Sequence, residues 1–498
     1  MTSKKSIIIV GGGLGGLAAA ALLSKEGHKV TLLEKNEELG GRARVYKSEG
    51  FVFDMGPSWY LMPDIVERFF GLFNKKPEDF MDLKRLDPQY KIFYEDDTSV
   101  EVVANVDKNL TTFESLEIGS AKKLKKYFSI TTKIYDIATK GEKGFLYKPF
   151  NKLTDFLDIK LLELFFTINL FQSYDSFVSK FTKNKKIKQI LEFATVFLGG
   201  SPKNIPSVYT MMSHVDFVLG GWYPMGGMGK LVDALTSLAK QYGANIITSC
   251  EVLEIEIADK LVKKVKTTKG DFASDIVVVN ADMHHAETSL INNQESKTYK
   301  EKYWENQTMS PSAFLVYLGV KGRVHGLEHH NLFMAADWDK HFDTVFKNYS
   351  WPQDPSYYVC CPSVTDKSVA PDGDENIFIL VPVAAGLKDD DKTRQEYCNH
   401  ILRHLERSLK TNLLDRIITK RIYSHRDFMS DYNAYKGTAF APAHTLWQSV
   451  YFRPRMKSKK VHNLYYVGQY TQPGIGMPMV LLSAEFLMKE INKQKNWV

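Results

Sequence analysis

"SIIIVGGGLGGLAAAALLSKEGHKVTLLEK", residues 6–35, decides the fold of this chain. Ile7 to Val10 read as a short buried strand, followed by glycines at positions 11, 12, 13, 15 and 16, a helix of small residues, and a second apolar strand that ends in Glu34. In Gly11-x-Gly13-x-x-Gly16 the first glycine makes a tight turn and the second lets backbone approach a pyrophosphate. The third lets the helix pack closely on the strand. The helix then points its amides and the positive end of its dipole at the phosphates. Glu34 stands 23 residues after Gly11, where its carboxylate can accept both hydroxyls of a ribose. The pattern predicts a βαβ unit that binds a dinucleotide, and nicotinamide and flavin dinucleotides share all of it.

Two later stretches repeat the α/β pattern. In "GGMGKLVDALTSLAKQYGANIITSCEVLEIEI" (226–257) Leu231, Leu235 and Leu238 give a helical stripe, Gly243 ends it, and alternating strand residues follow; "DIVVVNAD" (275–282) is a short buried strand. "NLYYVGQYTQPGIGMPMVLLSAEFLMKEI" (463–491) is again strand, glycine loop and apolar helix. Three pieces of one sheet this far apart predict a discontinuous, Rossmann-like cofactor domain, an α/β unit made of residues 1–90, 225–290 and 455–498. Residues 91–224 and 291–454 are expected to form an inserted α+β substrate domain of mixed sheet and helices. A length of 498 residues, too long for one ordinary core, agrees with two domains.

Hydrophobic content of 44% and charged content of 25% are those of a globular protein, and no apolar run reaches the roughly 20 residues that cross a bilayer. Lys4 and Lys5 lead into a glycine loop, not an apolar signal core, so a cytoplasmic location is expected. Cys250, Cys360, Cys361 and Cys398 lack metal-ligand spacing, and neither a disulfide scaffold nor a metal site is expected. The formal charge of +7 is modest, although lysines cluster at 121–126 and 179–190; solvated helix faces or an anionic lipid surface account for them better than nucleic acid does.

After Glu34 the chain reads "KNEELGGRARVYKSEGFVFDMGPSWY" (35–60). Here Gly40 and Gly41 remove side chains, Arg42 offers a planar charged fork, and Gly56 and Pro57 stiffen a turn that can pass under a ring system. From here the sequence resembles the flavin-dependent carotenoid desaturases of bacterial phytoene desaturase type, a group that includes 1-hydroxycarotenoid 3,4-desaturases. The resemblance runs over nearly the whole chain. It rests on the glycine loop with Glu34, "GGRARVYKSEGFVFDMGPSWYLMPDIVERFF" (40–70), "GGWYPMGGMGKLVDAL" (220–235), "VVVNADMHH" (277–285) and "LEHHNLFM" (327–334). It continues through "PSYYVCCPSVTDKSVAPDGDENIFILVPV" (355–383), "GTAFAPAHTLWQSVYFRPRMKS" (437–458) and "NLYYVGQYTQPGIGMPMVLLSAE" (463–485).

The resemblance implies FAD as the dinucleotide. Carried over by position, it puts the pyrophosphate on Gly11, Gly12, Gly13, Gly15 and Gly16 and the ribose on Glu34 with Lys35 beside it. Gly41 and Arg42 then flank the cofactor, backbone near Val252 meets its adenine side, Asn280 gives support, and Gly56, Pro57, Ser58, Gly468, Met477, Pro478 and Met479 lie toward the flavin. Val252 reads equally as strand core. Where Met477 and Met479 stand, the family often has small or β-branched residues, so the substrate slot here has its own shape. His444 and Arg453 are the polar groups nearest the flavin by position, although a satisfied core histidine and an ion-paired arginine describe them as well.

The implied reaction is desaturation of an acyclic carotenoid by hydride transfer to the flavin and loss of a neighbouring proton. Quinone or oxygen would be the final electron acceptor. The cofactor carries the difficult step and the protein positions and desolvates, which suits a sequence with no serine triad and no paired carboxylates. Redox-neutral carotenoid isomerisation, amine oxidation and a flavin-holding protein without turnover are the rival readings. A lipid-soluble substrate implies peripheral contact with the cytoplasmic membrane, and "LLELFFTINLFQSYDSFVSKF" (161–181), flanked by Lys183, Lys185, Lys186 and Lys188, reads as an interfacial helix or as a lid of the substrate domain.

Overall fold

The computed structural model describes residues 4–141, 144–157, 163–164, 168 and 171–493. The strand Ser6–Val10 lies at the centre of a five-stranded parallel sheet. Its order is Leu464–Tyr466, Ile276–Val279, Ser6–Val10, Lys29–Leu33, Asn245–Ile247. Segments far apart in sequence thus become neighbours. The strands read as unbroken aliphatic runs because both faces are covered.

Alternation along each strand sorts the two faces. Ile7, Ile9, Val30, Leu32, Ile276 and Val278 pack under the helices Leu14–Lys25, Gly229–Gln241 and Met477–Lys493. Ile8, Val10, Leu33, Val277 and Val279 face the other way, onto an antiparallel sheet of Val252–Ala258, Leu261–Thr267 and Gly270–Phe272. The helix Leu14–Lys25 is buried along nearly its whole length, which the run of alanines and glycines permits. A side chain on Gly16 would come within 2.1 Å of the Gly11 carbonyl.

A second sheet has seven strands in the order Ile417–Tyr423, Ser312–Val320, Glu375–Val383, Tyr357–Cys360, His330–Met334, Tyr90–Tyr94, Ser99–Val102. All neighbours run antiparallel except His330–Met334 beside Tyr90–Tyr94. Its central strands Ser312–Val320, Glu375–Val383 and Tyr357–Cys360 too are buried on both faces. Phe314, Val316, Ile377, Ile379 and Val381 pack with Ile401, Leu402 and Leu405 of the helix Asp391–Leu409. The intervening residues Ala313, Leu315, Leu332, Tyr358 and Leu380 turn toward a cavity.

The interfacial-helix reading of residues 161–181 falls in part outside the described residues, Phe165 and Phe166 among those left out. From residue 171 onward the stretch is not one helix: Tyr174–Val178 and Lys185–Glu192 are separate short helices, with Asn184 capping the second. The basic flank is also smaller than its sequence suggests. Lys186 pairs with Asp96 at 2.6 Å, and Lys188 pairs with Asp175 at 2.5 Å and Glu192 at 3.7 Å, so these two charges are spent inside the fold.

Candidate active site

The glycine loop and the acid after the second strand form one hydrogen-bonded unit. Gly11 has φ +103°, which a side chain disfavours, and a Cβ there would meet the Ala281 amide at 3.1 Å. The Glu34 carboxylate accepts from the Gly12 amide at 2.6 Å with one oxygen, and from the Asn36 amide and side chain at 2.9 and 3.0 Å with the other. Asn280 stands behind the loop. Its side-chain amide donates to the Val467 carbonyl at 3.0 Å, and a Cβ on Gly13 or Gly16 would lie 3.1 Å from its Oδ1.

From this loop a cavity of about 940 Å³ runs to the face of the seven-stranded sheet. Gly11, Gly13, Gly15, Glu34, Lys35, Gly41 and Arg42 line one end. Gly56, Pro57, Ser58, Met477, Pro478 and Met479 also line it, as do Asn280 and His444. Val252 both lines the cavity and packs in the core with Ile8 and Val10. Gly12, Gly16, Gly468 and Arg453 shape the wall from behind. At Gly468, with φ +105°, a Cβ would strike the Asn280 amide at 2.5 Å.

Several contacts of the wall carry no signal in the sequence. The Arg42 guanidinium lies over the Tyr432 ring at 5.2 Å and its Nε is buried without a partner. Arg44 lies over the same ring at 5.3 Å and pairs with Asp431. Lys35 reaches across to the Ser430 carbonyl at 2.7 Å. The segment Ser430–Asn433 therefore closes the loop end of the cavity through contacts spanning almost 400 residues. Tyr470 donates to Asp282, and both line the cavity.

His444 and Arg453 sit side by side. Nδ1 of His444 donates to the Leu198 carbonyl at 3.1 Å and Nε2 accepts from the Ile475 amide at 3.4 Å; burial, reinforced by the Arg453 charge, pushes the imidazole down to about 3. Arg453, 2% exposed, donates to the carbonyls of Pro442, Gln448 and Gln469 and has no carboxylate partner among the described residues. Burial lowers its guanidinium to about 10, so it stays charged at neutral pH. Together they tie four separate segments to the cavity wall, in place of the ion pair that the sequence suggested for Arg453.

Away from the loop the wall is mostly apolar. At the far side it opens among aromatic residues that face solvent: Phe171 is 73% exposed and Trp447 71%, and Phe156, Leu446 and Phe452 are also exposed and line the cavity. Trp447 and Phe452 meet edge to face at 5.2 Å. Exposed apolar side chains of this size grouped around one opening form a patch that soluble surfaces rarely carry. No helix among the described residues is long and apolar enough to cross a membrane.

The sequence of a family described as flavin containing amine oxidoreductase matches residues 14–486. A carotenoid 3,4-desaturase of Haloarcula japonica is 45% identical over 485 residues, 97% of each chain. A 4,4'-diapophytoene desaturase (4,4'-diaponeurosporene-forming) of Staphylococcus haemolyticus is 32% identical, covering 96% of this chain and 97% of that one. Among solved structures, an oxidoreductase from Methanosarcina mazei shares the fold with a TM-score of 0.66 at 16% identity, covering 97% of this chain and all of that one.

Proposed function

The chain belongs to the flavin containing amine oxidoreductase family, and from that premise we propose that it is an FAD-dependent carotenoid desaturase acting on the CH–CH bonds of an acyclic carotenoid. The observation that carries this reading is one continuous cavity, with a glycine loop and a ribose-competent acid at one end and a long hydrocarbon wall ending in exposed aromatics at the other. The high identity with a carotenoid 3,4-desaturase favours 3,4-desaturation over a phytoene-type series of steps.

The residues present fit FAD. The cradle leaves little room for side chains: at Gly41, with φ +56°, a Cβ would crowd Gly13 Cα at 3.1 Å, and at Gly56 it would strike the Arg42 carbonyl at 2.5 Å. Glu34 would take the ribose, the loop the pyrophosphate, and Arg42 would flank the cofactor where its Nε has no protein partner. Bound FAD supplies the hydride acceptor. The chain's own contribution is to hold the polyene against that acceptor and keep water out, since charge left on the carbon chain is spread by its own double bonds. His444 and Arg453 act as positioning residues: His444 accepts from the Ile475 amide, both side chains back Gly474, and Arg453 holds the carbonyls of Pro442, Gln448 and Gln469. We assign residues 1–90, 225–290 and 455–498 to the cofactor domain and the rest to the substrate domain, and we place peripheral membrane contact at the mouth formed by Phe171, Trp447 and Phe452. Quinone or oxygen is the acceptor we propose for the electrons.

The test is to incubate the holoenzyme with acyclic carotenoids in liposomes and weigh the products. Loss of two hydrogens per step supports desaturation. An unchanged mass with altered geometry would mean isomerisation instead.

A further inference from the structure

Behind the cavity wall the seven-stranded sheet brings together two imidazoles and a thiol. His329 immediately precedes the strand His330–Met334, and His330, its first residue, pairs in register with Cys360 on the neighbouring strand Tyr357–Cys360. All three side chains are buried, and a ligand atom from each lies within 4.8 Å of the other two. Cys360 Sγ stands 3.8 Å from His330 Nδ1. Each ring has one nitrogen held by a hydroxyl: Thr365 Oγ1 is 2.8 Å from His329 Nδ1, and Tyr358 Oη is 2.6 Å from His330 Nδ1. Nε2 of both rings is buried without a hydrogen-bond partner. An imidazole fixed by an oxygen at one nitrogen and open at the other is the arrangement that surrounds metal ions in proteins.

We propose that His329, His330 and Cys360 bind Cu(I). A thiolate with two neutral imidazoles is a soft donor set. It carries one negative charge, so a monovalent ion leaves the buried site neutral, whereas Zn(II) would leave a net positive charge among apolar residues. The His330 ring stacks on Trp59 at 4.0 Å, and Trp59 and Tyr358 both line the cavity. An ion here clamps two strands together and fixes two side chains of the substrate wall. The sequence did not reveal the site because its third ligand lies 30 residues away and meets the others only through strand pairing.

The test uses reduced holoenzyme, titrated anaerobically with Cu(I) from a competing chelator and then desalted for metal analysis. The wild-type chain and Cys398→Ser should each retain about one copper, and Cys360→Ser and His329→Asn should retain almost none. Tyr358→Phe, which removes the hydroxyl that orients His330, should weaken retention about 10- to 100-fold. X-ray absorption of the copper-loaded wild type should show a single sulfur and imidazole nitrogens, and this decides the matter even if a variant fails to fold. Complete surrender of copper to the chelator by the wild type, equal retention by folded Cys360→Ser, more than one sulfur on the metal, or preference for Zn(II) over Cu(I) would each overturn the assignment.

Discussion

Where the parallel sheet meets the cavity, at Gly11 to Gly16, the wall is backbone. Where the seven-stranded sheet meets it, at Ala313, Leu315, Leu332 and Leu380, the wall is hydrocarbon side chain. The first surface recognises by hydrogen bonds and has little room for added atoms. The second recognises by shape and exclusion of water, and many apolar residues satisfy it. One surface is therefore written as glycines at fixed spacing over a few residues. The other depends on which strands pair and which face each residue takes.

The comparison is broken most severely at Gly16. A single methyl there would stand 2.1 Å from the Gly11 carbonyl, a rigid neighbour, so Gly16→Ala should cost at least the 1–3 kcal/mol of an overpacked core and yield colourless protein. At Gly13 the nearest atom to an added methyl is the Asn280 side chain at 3.1 Å, so Gly13→Ala should retain part of its flavin. Flavin absorbance per chain after gel filtration compares them. Equal flavin content in the two would show that the loop does not hold the cofactor as described.

Glu34→Ala comes next. Glu34 ties the Gly12 amide and Asn36 in addition to its proposed ribose contacts, and a hydrogen bond to a charged group contributes about 1.5–3 kcal/mol. FAD retention through dialysis should fall by at least tenfold, and full occupancy would remove Glu34 from the site.

Adjacent residues on one strand sharpen the contrast. Leu380 faces the cavity and Ile379 faces the helix Asp391–Leu409. Ile379→Phe should lower thermal stability through about 1–3 kcal/mol of overpacking. Leu380→Phe should leave stability and flavin content nearly unchanged and reduce turnover of carotenoid. Matching effects at the two positions would mean that the face assignment fails.

These pairs also mark how much was legible. The βαβ unit, the helix Gly229–Gln241, the strand Ile276–Val279 and the C-terminal strand and helix are all local patterns, and the sequence displays them. Arg42 over Tyr432, Lys35 on Ser430 and His330 beside Cys360 are products of chain topology, with no periodicity to announce them. The basic run Lys183, Lys185, Lys186 and Lys188 looks more charged in sequence than in the fold for a related reason. A run of like charge shows in sequence, but the acids that neutralise part of it come from residues 96 and 175.

That last point supports the smallest prediction, which divides the basic run in two. Lys183 and Lys185 are exposed, whereas Lys186 and Lys188 are half-buried in ion pairs. If the run helps the mouth settle on anionic lipid, Lys183→Glu and Lys185→Glu should each weaken binding to anionic vesicles by about 1 kcal/mol, and the loss should fade at high salt, where screening shortens the reach of surface charge. Lys188→Glu places a third acid against Asp175 and Glu192, so its main effect should be on thermal stability and not on vesicle binding. Liposome flotation on anionic and neutral vesicles, with a melting curve for each variant, separates the two outcomes. Trp447→Ser is the reference, because an exposed aromatic at the mouth should lower binding to both kinds of vesicle. If the lysine variants float like wild type while Trp447→Ser does not, the membrane contact is carried by the aromatic mouth alone and the basic run is an ordinary solvated helix face.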